Sequence, residues 1–360
     1  MSFLSSKIEA FGMDFSESSL KIAFLRPKGR RLSLVCFSET EVPPGVITGG
    51  EVQDEKQLAQ VIRKAVANLR GKGLRTKYVV SSLPEEKSFL DVLSLPALYG
   101  RELESAIIFE TENHIPVPLA NVYFDFEKKE IMNGASKHQE VMIVATPKKV
   151  VDLYLSAIKL AGLFPVAMEI ESLAVARALV KCREDSAPLL IVDFGENRTS
   201  FIIYAGQMIR FTSTFPISSR QITEAIANYL KIPIAEAGQL KRSEGLDGSD
   251  KLLRAVTPIL NELVTQVKSH LEYFYSRDKN VPSSKVKVAE LLLCGGGANL
   301  RGLVDFIAKG LDTKVDLGNP WVNILSYPLK EVPILSFSDS LKYTTALGLA
   351  LRGACSETEK

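Results

Sequence analysis

Apolar and polar residues alternate over two stretches of the chain that look alike. In the first, Phe11-Gly12-Met13-Asp14-Phe15 and Leu20-Lys21-Ile22-Ala23-Phe24 flank the polar tip Ser16-Glu17-Ser18-Ser19, which predicts a β-hairpin with hydroxyls at its turn. In the second, Leu189-Leu190-Ile191-Val192-Asp193-Phe194 and Ser200-Phe201-Ile202-Ile203-Tyr204 flank Gly195-Glu196-Asn197-Arg198-Thr199. Laid over one another, Asp14-Phe15 matches Asp193-Phe194, and Glu17 matches Glu196. The repeat returns after about half the chain, which predicts a duplicated α/β domain.

Between the hairpins the pattern predicts a strand at Arg31–Glu39, a turn at Pro43-Pro44-Gly45, a helix over Glu55–Leu69 and a strand at Tyr78–Leu83. From Ser88 the predicted order becomes strand, helix, two strands and helix (Ser88–Leu93, Glu102–Glu112, Val122–Lys128, Glu140–Thr146, Lys148–Leu160), a small α+β unit. After the second hairpin come predicted helices over Ile217–Leu230, Ile234–Lys241 and Leu252–Ser276. A buried-type strand, Leu291-Leu292-Leu293-Cys294, then runs into Gly295-Gly296-Gly297, and helices follow over Leu300–Leu311 and Tyr343–Leu351.

Two hairpins that each bring an Asp to the end of a strand form jaws suited to a polyphosphate. Turn amides and hydroxyls donate to phosphate oxygens, and a carboxylate can hold the hydrated magnesium ion that neutralises them. Glycines after a buried strand let backbone approach a base or ribose without a Cβ between.

Composition narrows the classes. The 360 residues suggest about two domains. Lys+Arg 44 against Asp+Glu 42 leaves a net charge of +2, which excludes the basic footprint of a nucleic-acid binder. No run of about 18 apolar residues predicts a membrane span. The start, Met1 to Lys7, lacks the apolar middle of a secretory signal, so export is not expected. Cys36, Cys182, Cys294 and Cys355 are scattered and histidines stand only at 114, 138 and 270. No disulfide framework or zinc site is predicted, and a reducing cytoplasm is.

The order of hairpin, inserted α+β unit, second hairpin, triple glycine and terminal helix resembles the actin-like ATPases from about Ile8 to Gly353. Within them the chain resembles the PilM family of type IV pilus assembly proteins, relatives of the division protein FtsA. The markers are Gly12-Met13-Asp14 with Ser18-Ser19-Leu20-Lys21, Pro43-Pro44-Gly45-Val46-Ile47, Leu95-Pro96-Ala97-Leu98 and Ala161-Gly162-Leu163. More particular are Ile115-Pro116-Val117-Pro118 and Leu271-Glu272-Tyr273-Phe274-Tyr275.

The resemblance implies an α/β fold of duplicated actin-like (ribonuclease H-like) domains with an inserted small α+β subdomain. It assigns 1–83 and 165–188 to the first domain, 84–164 to the insert, 189–342 to the second domain, 343–353 to a terminal helix returning to the first, and 354–360 to a disordered tail. It implies ATP and Mg2+ as ligands. Asp14, Ser16, Ser18, Ser19 and Lys21 would form the first phosphate loop and Asp193, Gly195 and Thr199 the second, with Asp14 and Asp193 flanking magnesium through water. Gly295, Gly296 and Gly297 would border the adenosine, and Lys241 would lie beside the base or ribose. Glu171 matches the position of the residue that orients attacking water, although a carboxylate there also suits a helix start. The implied partner is the cytoplasmic N-terminal tail of a PilN-like inner-membrane protein, held as an extended peptide beside the insert. That would place the chain in the cytoplasm, peripheral at the inner membrane, with self-association left open.

One departure weakens the nucleotide half. The family pattern in the first loop is Asp-Ile-Gly-Ser-Ser-Ser, whereas here Ser16 replaces the glycine and Glu17 a serine. An inward Glu17 would repel phosphate. Whether ATP is hydrolysed is open, and three alternatives stand: a nucleotide-free scaffold, an FtsA-like division protein and a sugar-kinase-type phosphotransferase. Against the last two, the polar Ala354–Lys360 end does not read as a membrane-targeting helix, and no catalytic Asp motif for a sugar hydroxyl is recognisable.

Overall fold

The structure, a computed structural model, describes residues 9–29, 31–133, 136–181, 188–277, 288–325 and 332–355. Its first sheet has six strands, in the order Phe164–Ile170, Tyr78–Leu83, Phe11–Phe15, Ser19–Lys28, Arg31–Glu41, Arg70–Gly71. Its second has five, in the order Met208–Phe215, Thr199–Ala205, Leu189–Phe194, Glu290–Cys294, Val315–Leu317. In both, the first hairpin strand pairs antiparallel with its neighbour on one side and parallel with a later strand on the other. The repeat in the hydrophobic pattern is therefore a repeat of topology.

The strand Phe11–Phe15 is buried along its whole length, so both faces must be covered. Its alternation decides by what. Phe11, Met13 and Phe15 pack with Leu58, Ile62, Tyr154 and Ile158 of the helices Glu55–Ala67 and Lys148–Leu160. Gly12 points the other way, beneath the helix Thr344–Cys355, where a Cβ would stand 2.3 Å from the Ala346 carbonyl oxygen. The second sheet is covered on one face by the helices Ser219–Leu230, Asp250–Arg277 and Leu303–Leu311, through Ile222, Val256, Leu260, Leu263 and Ile307. On its other face Ile191 and Ile202 meet Val175, Ala178 and Leu179 of the helix Glu171–Leu179. That helix and Thr344–Cys355 pack on each other between the sheets, so close that a Cβ on Gly348 would fall 1.9 Å from the Ala174 carbonyl oxygen.

The insert is a three-stranded sheet, ordered Phe89–Pro96, Ser136–Pro147, Val122–Asn133, with the helix Gly100–His114 on it through Leu103 and Ile107. It touches the second half through the ion pair Glu140–Arg210, 2.5 Å, whose side chains are 8% and 14% exposed. Lys129 also donates to the Gly206 carbonyl at 2.5 Å.

Two helix boundaries are corrected, and three elements were not expected. The last helix runs over Thr344–Cys355, past Gly353, so Ala354 and Cys355 are helical; residues 356–360 of the expected tail lie outside the described residues. Gly353 does not end the helix but allows contact, since a Cβ there would lie 2.2 Å from the Ala10 carbonyl oxygen. The helix expected from Leu300 begins at Leu303, because Gly302 (φ +79°) breaks the chain direction just before it. The strands Phe164–Ile170 and Met208–Phe215 and the helix Glu171–Leu179 complete the sheets without having been assigned from the pattern. No helix among the described residues is long and apolar enough to cross a membrane.

Candidate functional site

The two hairpin turns close in the same way. The Ser16 amide donates to the Ser19 carbonyl (2.9 Å), and the Gly195 amide to the Arg198 carbonyl (3.0 Å). Strand register sets Asp14 opposite Lys21 and Asp193 opposite Ser200. Both Asp residues thus end a central strand at equivalent places. They line a cleft of about 170 Å³ together with Glu171, Gly295 and Gly296.

Charge is concentrated there. Burial pushes the Asp193 carboxyl up to about 7, with Asp14 adding to the rise and Lys21 opposing it. Burial also raises Asp14, against Lys21 and a hydrogen bond from Ser82. Glu171, at the first turn of its helix, is held well above the usual carboxylate range by burial and by Asp14, Glu85 and Asp193. Glu85 is raised by burial, although it accepts the Ser172 amide (3.0 Å) at the same helix start. Asp14, Glu171 and Asp193 share one lysine, Lys21, and cannot all ionise cheaply.

The first turn is braced by its own side chains. Ser16 Oγ donates to the Ser19 carbonyl (2.9 Å) and accepts the Ser19 amide (3.1 Å), while Lys21 Nζ donates to Ser19 Oγ (2.7 Å). The serine in place of glycine therefore folds back onto the turn. Gly195, its counterpart, lies where a Cβ would meet the Arg198 carbonyl oxygen at 2.8 Å. Glu17 turns aside from the cleft: its Oε1 accepts the Gly49 amide (2.6 Å) and stands 3.6 Å from Arg198. Across the cleft, Ser18 Oγ donates to Glu196 Oε2 (2.9 Å), so the turns touch.

Of the residues expected here, Asp14, Ser16, Ser18, Ser19, Lys21, Glu171, Asp193, Gly195, Gly295 and Gly296 line the cleft, whereas Thr199, Gly297 and Lys241 do not. Thr199 is fully buried and donates to the Ile217 carbonyl (2.6 Å), because it pairs in register with Phe194 and shares the core-facing side. Gly297 is pressed on Phe194, whose Cδ1 would lie 2.5 Å from an added Cβ. Lys241 Nζ donates to the Ser219 carbonyl, Ser219 Oγ and Thr223 Oγ1 (2.8, 2.9 and 2.6 Å) on the neighbouring helix, and burial pulls it down to about 8.

Sequence reasoning passed over Ser200, Arg198, Lys342, Thr344 and Thr345, all of which line the cleft. Laying the hairpins over one another with Asp14 on Asp193 would have put Ser200 at the place of Lys21. Nothing local points to Lys342 or Thr345, which the returning helix brings in from the far end of the chain.

Comparison with known proteins bears on the family and the fold. The family model described as Type IV pilus assembly protein PilM matches residues 12–354. A solved PilM-PilN type IV pilus biogenesis complex is similar at a TM-score of 0.79 and 27% identity, covering 97% of this chain and 99% of that one. The MreB5 protein of Spiroplasma citri bound to ADP shares the fold at a TM-score of 0.53 and 10% identity, with 97% of both chains covered. Cell division protein FtsA of Neisseria meningitidis serogroup B (strain ATCC BAA-335 / MC58) is 24% identical over 249 residues, 62% of this chain. That match takes in 56% of the relative, so the chain spans little more than half its length. With a family match over nearly all its residues and an actin-like fold of two repeated sheets, the chain belongs to the type IV pilus assembly protein PilM family.

Proposed function

We propose that the protein is a cytoplasmic, nucleotide-binding scaffold of a type IV pilus or related machine, which binds the cytoplasmic tail of a PilN-like inner-membrane protein. The nucleotide half rests on one observation: two hairpin turns of the same construction face each other across a cleft that holds Asp14 and Asp193. Ser18 on one side and Glu196 and Asn197 on the other line that cleft, and turn amides of this kind are donors suited to a polyphosphate. The carboxylates fit a divalent ion. Burial holds both above their ordinary values and Asp14 adds to the rise at Asp193, and a cation would relieve that cost. Among the described residues no three His, Cys, Asp or Glu side chains form a group that could hold a metal ion directly. Magnesium, when bound, would neutralise the phosphates; Glu171 would hold water beside them. Calorimetry with ATP tests this reading: binding with magnesium and none with EDTA supports it, and no binding in either condition overturns it.

For the partner, a groove of about 420 Å³ separates the insert from the first sheet. Its walls are two edge strands, Val122–Asn133 and Phe164–Ile170, with Tyr123, Phe126, Met142, Met168 and Leu173 as the apolar lining. Unpaired edges offer main-chain hydrogen bonds to an extended peptide, and the alternate side chains offer pockets. Failure of the cognate tail peptide to bind the folded protein in calorimetry would sink this half.

A further inference from the structure

Resting on the nucleotide reading above, we propose that Arg198 is a phosphate-contacting residue held in reserve by this chain, with Glu17 as the displaceable group that occupies it until nucleotide enters. Arg198 lines the cleft at the end of the second turn, and its side chain is 21% exposed. Its guanidinium is engaged by two carboxylates of the first half: Glu86 contacts one nitrogen, and Glu17 lies 3.6 Å from another. Burial lowers its basicity and Glu17 opposes that fall. The planar fork of an arginine suits a phosphate as well as a carboxylate.

The other cleft cations are differently placed. Lys342 is tied to Glu39 (2.6 Å), and Lys21 donates to Ser19 Oγ on the first turn. Two carboxylates on one guanidinium leave that corner net negative, so an arriving polyphosphate must replace one of them. Glu86 has 19% of its side chain exposed and Glu17 29%, and Glu17 makes the looser contact of the two with the guanidinium. Rotating Glu17 into solvent gives up the Gly49 amide and a loose ion pair, each a modest loss in a wet setting. Glu86 then remains to orient the freed guanidinium. The departure at position 17 thus becomes an adjustable resistance to nucleotide.

The test is calorimetry of magnesium-ATP with four proteins: the native chain, Glu17→Ser, Arg198→Ala and the double variant, with Glu17→Gln as a second removal of the charge. Thermal melts check folding. Glu17→Ser and Glu17→Gln are expected to bind roughly five- to tenfold tighter than the native chain, the effect of about one lost ion pair. In the double variant that gain is expected to vanish, a non-additive cycle that marks Arg198 as the recipient. If the native chain binds and neither Glu17 variant binds tighter, the inference falls and the nucleotide reading stands. A gain that survives Arg198→Ala also overturns it, because Glu17 would then act by plain repulsion. If no variant binds, the nucleotide reading fails and takes this inference with it.

Discussion

Asp193 and the pair Thr199–Ser200 show how single residues divide between fold and site. Asp193 is held near 7 in the folded chain against an ordinary 3.8. Folding therefore takes up a proton there between those values. The stability this gives is complete below about pH 4 and is lost as pH rises through about 7. The nucleotide-free protein should accordingly lose stability from pH 5 to 7.5, and Asp193→Asn should make that slope shallower in urea titrations; an unchanged slope would refute the assignment. Magnesium-nucleotide binding at pH 6 should release protons, read as a dependence of binding heat on buffer ionisation. One position along the second hairpin, face matters more than chemistry. Thr199 resembles a phosphate ligand in sequence, yet its side chain faces the core as Leu20 does in the first hairpin, while Ser200 takes the place of Lys21. Ser200→Ala should weaken nucleotide binding severalfold with little change in melting temperature. Thr199→Val should do the reverse, costing about 1 kcal/mol through the unpaired Ile217 carbonyl. Glu17 was beyond sequence reasoning for a different reason. Its orientation is decided by Gly49 and Arg198, and neither position is implied by the loop it belongs to.

At the scale of elements, the hairpins were legible because a buried strand ending in an Asp and a polar turn is a strong local pattern, and it occurs twice. The insert was legible as strand, helix, strands and helix, because its apolar positions keep one period within each element. What stayed hidden were elements whose pattern is set by what lies on both sides of them. The helix Glu171–Leu179 is covered by both sheets and by Thr344–Cys355, so it shows small apolar residues nearly all round and no clean stripe. The end of Thr344–Cys355 was misread because a terminal glycine usually marks a C-cap, whereas Gly353 serves close packing on Ala10. Three glycines, Gly12, Gly348 and Gly353, carry this central contact. Gly348→Ala would drive a Cβ into the Ala174 carbonyl and should cost about 3 kcal/mol, seen as a drop in the urea midpoint. Gly73, which faces open space, should accept alanine without such a loss.

The same two helices connect the cleft to the groove. Glu171 lies at the cleft, while Leu173 and Arg177 of the same helix line the groove. Thr344 and Thr345 lie at the cleft, and Arg352 of the same helix lines the groove, where it and Arg177 both clasp the buried Glu169. At 1.5 Å per residue each helix spans only about 10 Å between its two contacts, too short to bend much. The turn Glu85–Lys87 adds a third link, since Glu85 caps the first helix, Glu86 holds Arg198, and the insert strand Phe89–Pro96 follows directly. On the reading that a cation draws Asp14, Glu171 and Asp193 together, Glu171 would pull on the end of a helix that also bounds the groove. Linkage then requires the effect to be mutual: magnesium-nucleotide should change the affinity of the tail peptide, and the peptide should change nucleotide affinity by the same factor, roughly fivefold or more if coupling reaches about 1 kcal/mol. The check is a closed cycle of four calorimetric titrations on the full chain. Equal affinities with and without the second ligand would show that the glycine-packed helices hold the two sites apart rather than join them.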